Sequence, residues 1–231
     1  MLLKVEKLNS WFADEEGFYA QTLNDVSFSI EKGETILDLG SGAGFDCFLA
    51  ARVTGETGKV IGVDITPEMV TQARKNAQQG NYKNVVFKVG KIENLPIDDN
   101  QIDLIISNCV INLSNQKELV FEEAFRVLKP SGRMMISDII LLNDLPDYVK
   151  NSIEGHIACL SGAIRKEHYI NAITKAGFED IVIEKEAPFP IELMLNDPIA
   201  AKIIRENNIT EKEISDIANS ISSISVSAIK R

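Results

Sequence analysis

The sequence predicts an α/β protein built on a mostly parallel β-sheet of seven strands, with a last strand that runs antiparallel to its neighbour. Up to about residue 140, short apolar segments alternate with segments of helical spacing, an order typical of parallel sheets. A glycine-rich turn follows the first of these strands, and an aspartate ends the second. Residues 222–230 alternate apolar and polar side chains, which is typical of a strand with one buried face.

The glycine-rich stretch from Glu34 to Gly44 reads ETILDLGSGAG and organises the rest of the chain. Apolar residues surround Asp38, and three glycines follow at positions 40, 42 and 44. Glycine is favoured where a turn needs a positive φ, and where a ligand must approach the backbone closely. The pattern predicts a strand, a tight turn and a helix that begins near Asp46.

A second short strand ends in Asp64, twenty residues beyond Gly44. At this spacing, an acid at the tip of a strand reaches the two hydroxyls of a ribose. The glycines alone would also fit an ordinary strand-to-helix turn. A pyrophosphate is disfavoured because Asp46 would repel it at the helix N-terminus, whereas a zwitterionic or cationic ligand would be tolerated. The loop also lacks the lysine of phosphate-binding loops.

The other elements follow from apolar spacing and capping residues. Thr66 is the expected N-cap of a helix with Pro67 in its first turn, and Ser114 is the expected cap of a later helix. Residues 1–33 are expected to form a partly helical lead-in that covers one side of the ligand cleft. The predicted strands are 35–40, 59–64, 84–89, 102–107, 133–140, 178–185 and 222–230. The predicted helices are 46–53, 66–80, 114–128, 147–163, 166–176 and 195–220.

Composition narrows the classes of function. The chain has 231 residues, enough for one large α/β domain, and 45% of them are hydrophobic. A net charge of −10 argues against a nucleic-acid partner, which needs a basic face. No apolar run approaches the roughly 20 residues that span a bilayer, and early charges argue against a signal peptide. Three cysteines are too few for a disulfide framework, so a reducing cytoplasm is expected.

Five motifs together resemble the arsenite methyltransferases, which are class I methyltransferases that bind S-adenosylmethionine (SAM). The resemblance covers about Gly33 to Glu184. SNCVINL and ACLSGA are the specific motifs, because each has a cysteine where that family binds arsenic. The resemblance implies a single Rossmann-like domain, with a lead-in at 1–33, a SAM-binding core at 34–140, and a substrate-side cap with the final strands at 141–231. The five motifs are ILDLGSGAG, VIGVDITPEMV, SNCVINLS, EAFRVLKPSGRMMISD and ACLSGAI.

On this resemblance, Cys109 and Cys159 would hold trivalent arsenic while its lone pair attacks the methyl group of SAM. Soft thiolates suit a soft centre such as As(III), and Cys109 follows a strand end, where ligands of open α/β sheets bind. Cys47 is expected to be an ordinary core residue. The expected cofactor contacts are Asp38 near the ammonium, Gly40 and Gly42 along the methionine, Asp64 on the ribose, Ile65, Met69, Ile92 and Glu93 around the adenine, and Asn108.

One position departs from the family pattern. A third thiol usually stands in a Tyr-Gly-Cys-Gly motif, but Tyr19–Thr22 reads YAQT and places Gln21 there. Either a small external thiol completes the arsenic ligands, or the substrate is already monomethylated, or the substrate is another compound. Two alternatives therefore remain: a SAM-dependent C- or O-methyltransferase acting on an apolar small molecule such as a quinone precursor, and a non-catalytic sensor of SAM or of a metalloid.

Overall fold

The computed structural model describes residues 3–5, 10–13, 19–22, 28–145, 162–188, 204–205 and 209–231. In the lead-in, the described residues form two small antiparallel sheets. Strand β1 (Leu3–Val5) pairs with β4 (Phe28–Ile30), and β2 (Ser10–Ala13) pairs with β3 (Tyr19–Thr22). The prediction of a partly helical lead-in is wrong for these residues, because strands of three or four residues are too short to show a period of two.

The predicted seven-stranded sheet is confirmed. Its spatial order is β10-β11-β9-β8-β5-β6-β7. Neighbouring strands from β7 through β9 are parallel, whereas β11 is antiparallel to both β9 and β10. The strands are β5 (Thr35–Leu39), β6 (Lys59–Asp64), β7 (Val85–Val89), β8 (Ile102–Asn108), β9 (Leu128–Leu141), β10 (Glu179–Pro188) and β11 (Ile221–Ile229).

Five α-helices and one 3₁₀ turn are described beside this sheet. Residues 146–161, 189–203 and 206–208 are not described, so the predicted helix at 147–163 and the first part of the one at 195–220 fall mostly outside the described residues. The helices are α1 (Phe45–Thr54), α2 (Pro67–Gln79), α3 (Lys117–Val127), α4 (Lys166–Lys175) and α5 (Glu211–Asn219), and the 3₁₀ turn is Ile111–Leu113. None of the described helices has the length and apolar character needed to cross a bilayer.

Three boundaries differ from the predictions. Ser114 does not cap α3, which begins at Lys117; its hydroxyl instead accepts the Gln116 amide at 3.0 Å, because a 3₁₀ turn occupies the preceding residues. Thr66 holds the N-cap position of α2, but its side chain makes no capping bond. Strand β9 begins at Leu128 and not at residue 133, with the predicted turn looped out as a bulge opposite β8.

Both faces of the sheet are covered, so the central strands are buried throughout. Ile36 and Leu104 pack on one face with α1 and α2, whereas Leu37 and Ile105 pack on the other face with α3 and α4. The chain runs from β5 outward to β7 and then returns to the other side of β5 as β8. At such a reversal a crevice is expected at the carboxyl ends of β5 and β8, which is where ligands bind in open α/β sheets.

Candidate cofactor and acceptor site

The glycine loop occupies the carboxyl end of β5. The Gly40 amide donates to the Val63 carbonyl oxygen at 2.8 Å, which folds the loop back over β6. Gly40 has a φ of +68°, and a Cβ there would lie 2.1 Å from a methyl carbon of Val110. Gly42 has a φ of +49°, and no atom lies within 4 Å of where its Cβ would be. Gly40 is therefore required by packing against Val110, while Gly42 leaves open space for a ligand.

Asp64 joins this loop to the start of α2. Its Oδ2 accepts the Gly42 amide at 2.9 Å, and its Oδ1 accepts the Thr66 amide at 2.8 Å. Each carboxylate oxygen has two lone pairs, so each can accept one further hydrogen bond. Just beyond, the side chains of Ile65 and Met69 are 61% and 47% exposed. The pair offers an apolar surface next to a carboxylate, as the base and sugar of a nucleoside require.

Two carboxylates lie beneath the glycine loop. Burial, and then the nearby charge of Asp46, raise the pKa of Asp38 well above its ordinary value. Burial raises the pKa of Asp46 to about 6, opposed by a hydrogen bond from the Asn108 side chain. The buried Cys47 thiol donates to Asp38 Oδ2 at 3.2 Å. Among the described side chains, no lysine or arginine pairs with either acid, so this cluster has an excess of negative charge.

Cys109 lies directly beyond the end of β8, across the crevice from the glycine loop. Its φ is +53°, an uncommon value for a residue with a side chain, and its amide donates to the Ser137 carbonyl oxygen at 2.8 Å. The thiol is half-buried and forms no disulfide. Backbone conformations of this kind concentrate at functional sites. The structure therefore places Asp38, Gly42, Asp64, Asn108 and Cys109 around one crevice.

A buried polar cluster next to Cys109 was missed by sequence reasoning. Asp138, which is 1% exposed, accepts the Tyr169 hydroxyl at 2.8 Å. Burial and then the Asp138 charge raise the pKa of Tyr169, to which Cys109 also contributes. The ammonium of Lys117 donates to the Ser114 carbonyl oxygen at 2.8 Å, and burial lowers the pKa of Lys117 against the opposing effect of Asp138. The only signal in the sequence was an aspartate within the apolar strand MMISDII.

Ile92 and Glu93 lie in the turn after β7. The Ile92 side chain is buried in the core, so only its backbone is available to a ligand. Glu93 Oε1 accepts the Ser114 hydroxyl at 2.5 Å, which ties this turn to the segment that follows Cys109. The Glu93 carboxylate therefore has a hydrogen-bond partner within the protein, and a contact with a ligand would be additional.

A family model described as a methyltransferase domain matches residues 30–177. The chain belongs to this family of methyltransferase domains. The match contains the glycine loop, Asp64 and Cys109.

This methyltransferase domain is similar to three known proteins. An arsenite methyltransferase from Halobacterium salinarum is 46% identical over 151 residues, which are 65% of this chain and 39% of that protein. The structure of an arsenic(III) S-adenosylmethionine methyltransferase from Chlamydomonas reinhardtii is 32% identical with a TM-score of 0.67, covering 86% of this chain and 63% of that chain. A ubiquinone/menaquinone biosynthesis C-methyltransferase from Salmonella arizonae is 36% identical over 108 residues, 46% of this chain and 43% of that protein.

These matches confirm the resemblance to arsenite methyltransferases that the motifs predicted. The methyltransferase domain spans about two fifths of the length of the Halobacterium protein, at 39%. Cys159 lies outside the described residues, and the side chain of Gln21 is not described either. Gly162 is described, however, and a Cβ there would lie 1.8 Å from the Asn112 carbonyl oxygen. The backbone at Gly162 thus lies directly against the turn that follows Cys109.

Proposed function

We propose that this chain is a SAM-dependent methyltransferase that transfers a methyl group to trivalent arsenic held by the thiolates of Cys109 and Cys159. The observation that carries the proposal is the half-buried Cys109 thiol beyond the end of β8, across the crevice from the glycine loop. Incubation with SAM and either arsenite or methylarsenite tests it directly. We expect S-adenosylhomocysteine and a methylated arsenical to form in equal amounts.

The charges of the crevice favour SAM over other nucleotides. SAM has an ammonium and a sulfonium, and Asp38 and Asp46 have no cationic partner among the described side chains. A pyrophosphate in the same place would face two acids. Asp64 would accept the ribose hydroxyls, Ile65 and Met69 would flank the adenine, and Ile92 and Glu93 lie in the turn at its edge.

SAM affinity is expected to rise by about tenfold as the pH rises from 5 to 7, the size of one charge-assisted hydrogen bond. The pKa of Asp46 is about 6, so this carboxyl is neutral below that pH and attracts an ammonium only above it. Calorimetry at both pH values measures the effect. In Asp46→Asn the rise should become smaller, with any remaining part due to Asp38, whereas the exposed Asp98→Asn should retain the full rise. A pH dependence unchanged by Asp46→Asn would contradict this role.

The raised pKa of Asp46 also means that this residue destabilises the ligand-free protein at neutral pH. Its pKa in the folded state is raised from 3.8 to about 6, so the folded state holds a proton that the unfolded state has already released. Stability is therefore lost as the pH rises from about 4 to 6. Asp46→Asn should accordingly stabilise the ligand-free protein at pH 7, by up to about 3 kcal/mol. Denaturant unfolding at pH 4 and pH 7 checks both the sign and the pH window.

In this reaction the main task of the protein is to position the arsenic and the methyl carbon. Thiolates displace oxygen ligands from As(III), and the arsenic lone pair then attacks the methyl carbon. The transfer would break the carbon–sulfur bond of SAM with its electron pair left on sulfur, giving S-adenosylhomocysteine. The arsenic lone pair becomes the new arsenic–carbon bond, so the methylated arsenic product is formally pentavalent. No proton needs to be removed from the nucleophile, so no general base is required. The protein accelerates the step by holding arsenic and methyl carbon in line at near-contact distance.

Chain length supports Cys159 as the second ligand. Gly162 lies against Asn112, and each of these residues follows its cysteine by three positions. Three residues span at most about 10 Å, so the length of the chain permits the two cysteines to approach each other. Thiolate ligation also requires reduced cysteines, and we propose a reducing compartment such as the cytoplasm for that reason.

Gln21, which stands in place of a third thiol, determines which arsenical we expect as the substrate. With thiols only at Cys109 and Cys159, the site should bind methylarsenite more tightly than arsenite, because methylarsenite has two exchangeable oxygens and arsenite has three. Titration of both arsenicals without added thiol measures their two affinities. Added glutathione should reduce the difference between these affinities. Gln21→Cys should raise arsenite affinity selectively if that position faces the site. Equal affinities in the wild-type protein would contradict a two-thiolate site.

A second candidate is methylation of carbon or oxygen in an apolar small molecule, as the match to a quinone-pathway C-methyltransferase suggests. The same crevice would serve, with Leu113, which is 52% exposed, as part of an apolar acceptor surface. S-adenosylhomocysteine formed with a quinone precursor but with neither arsenical would favour this candidate. SAM binding without turnover on any acceptor would favour a sensor.

A further inference from the structure

We infer that Asn108 and Val110 are positioning residues that fix Cys109 relative to the methyl donor, an inference that rests on the proposed function. The two residues flank the thiol in sequence, and each contacts the segment that would bind the methionine end of SAM. Val110 also packs against the core on the sheet face covered by α3 and α4.

Val110 makes the first contact. Its side chain fills the space over Gly40, where an added Cβ would lie 2.1 Å, 2.6 Å and 3.0 Å from three Val110 carbons. Gly40 is itself held by its bond to the Val63 carbonyl oxygen. The Val110 side chain packs directly on the Gly40 backbone, because Gly40 has no Cβ. A β-branched side chain has few rotamers, so the two segments have little freedom to move relative to each other.

Asn108 makes the second contact. Its side chain faces Asp46 in the first turn of α1, directly after the glycine loop, and lowers the pKa of that carboxyl against the effect of burial. The pair connects the end of β8 to the helix that continues from β5. Since Asp46 would face the ammonium of SAM, Asn108 ties the acceptor strand to the carboxylate that orients the donor.

Between these two contacts, Cys109 has a left-handed backbone conformation, and its amide is bonded to Ser137 on the neighbouring strand β9. Such a conformation persists only where the surroundings hold it. The thiol is therefore restrained from three sides: by α1 through Asn108, by the glycine loop through Val110, and by β9 through its own amide. The distance from the arsenic to the methyl carbon depends on these restraints.

The test separates binding from transfer in Asn108→Ala and Val110→Ala. We expect the single-turnover rate with saturating SAM and methylarsenite to fall by roughly 10- to 100-fold, as small misplacements of reacting groups do. In Val110→Ala, the dissociation constants of SAM and methylarsenite should change by less than about threefold, because the groups that bind each ligand remain. In Asn108→Ala, SAM binding should also weaken, because Asn108 lowers the pKa of Asp46, and the rate is therefore compared at saturating SAM. Val110→Thr, which keeps the branched shape, should restore most of the rate.

Matched controls remove equivalent groups away from the crevice. Val53→Ala truncates another half-buried valine, and Asn84→Ala removes amide bonds to the Ala51 and Gly55 carbonyl oxygens at the far end of α1. Both controls should lose stability without a selective loss of rate. The inference is overturned if the crevice variants keep the wild-type rate, lose rate no more than the controls, or lose affinity in proportion to rate. If the wild-type protein methylates no arsenical, the proposed function itself is wrong. If the wild-type protein and the crevice variants turn over equally well, only this inference is wrong.

Discussion

Replacing Cys109 by serine is expected to abolish both the binding of methylarsenite and methyl transfer to it. A serine hydroxyl is a hard ligand that stays protonated at neutral pH, so it does not replace a thiolate on arsenic. The change removes no packing volume of consequence and leaves the Cys109 amide bond to Ser137 intact. SAM binding should therefore persist while arsenical binding is lost. Arsenic retained after gel filtration, together with S-adenosylhomocysteine formation, measures both effects.

Cys47→Ser is the matched control for this experiment. Cys47 is completely buried and donates to Asp38, and a serine hydroxyl can make the same bond. Burial also raises the pKa of the Cys47 thiol, so this residue is a poor source of thiolate. We expect Cys47→Ser to keep arsenical binding. Tight binding that survives Cys109→Ser and Cys159→Ser together would refute the thiolate site.

Replacing Asp64 by alanine is expected to weaken SAM binding by about 100-fold or more, since charge-assisted hydrogen bonds contribute roughly 1.5–3 kcal/mol each. Two effects combine. The ribose hydroxyls lose their acceptor, and the amides of Gly42 and Thr66 lose the carboxylate that holds the loop and the start of α2 in place. The loop must then be ordered by the ligand, which lowers affinity further.

Calorimetry with SAM and S-adenosylhomocysteine measures the Asp64 effect, and both ligands should weaken alike because they share the ribose. Asp98→Ala removes the same charge from an exposed turn and should leave the affinity unchanged. Asp64→Asn should give an intermediate loss, since one oxygen still accepts a bond while the amide group opposes the other backbone donor. Unchanged SAM affinity in Asp64→Ala would show that this acid is not part of the cofactor site.

The sequence by itself determined the order of the seven strands of the large sheet, and it predicted a ligand site at the carboxyl ends of the central strands. The glycine loop, Asp64 and the end of β8 were all predictable, because turns, strand ends and helix starts depend on local backbone preferences that neighbouring residues encode. The alternation of strands and helices was enough to predict a parallel sheet. Cys109 directly follows the end of β8, as predicted, whereas the role of the motif cysteines as arsenic ligands follows from the resemblance only and stays a prediction.

Only the tertiary structure decided how the parts of the crevice are joined. The contact of Val110 with Gly40, the effect of Asn108 on the pKa of Asp46, and the hydrogen bond of Tyr169 to the buried Asp138 each involve residues distant in the chain. Such pairs follow from strand order and register, which no local pattern encodes. For the same reason the raised pKa of Asp46 could not be predicted, because it arises from burial between elements that meet only in the folded protein.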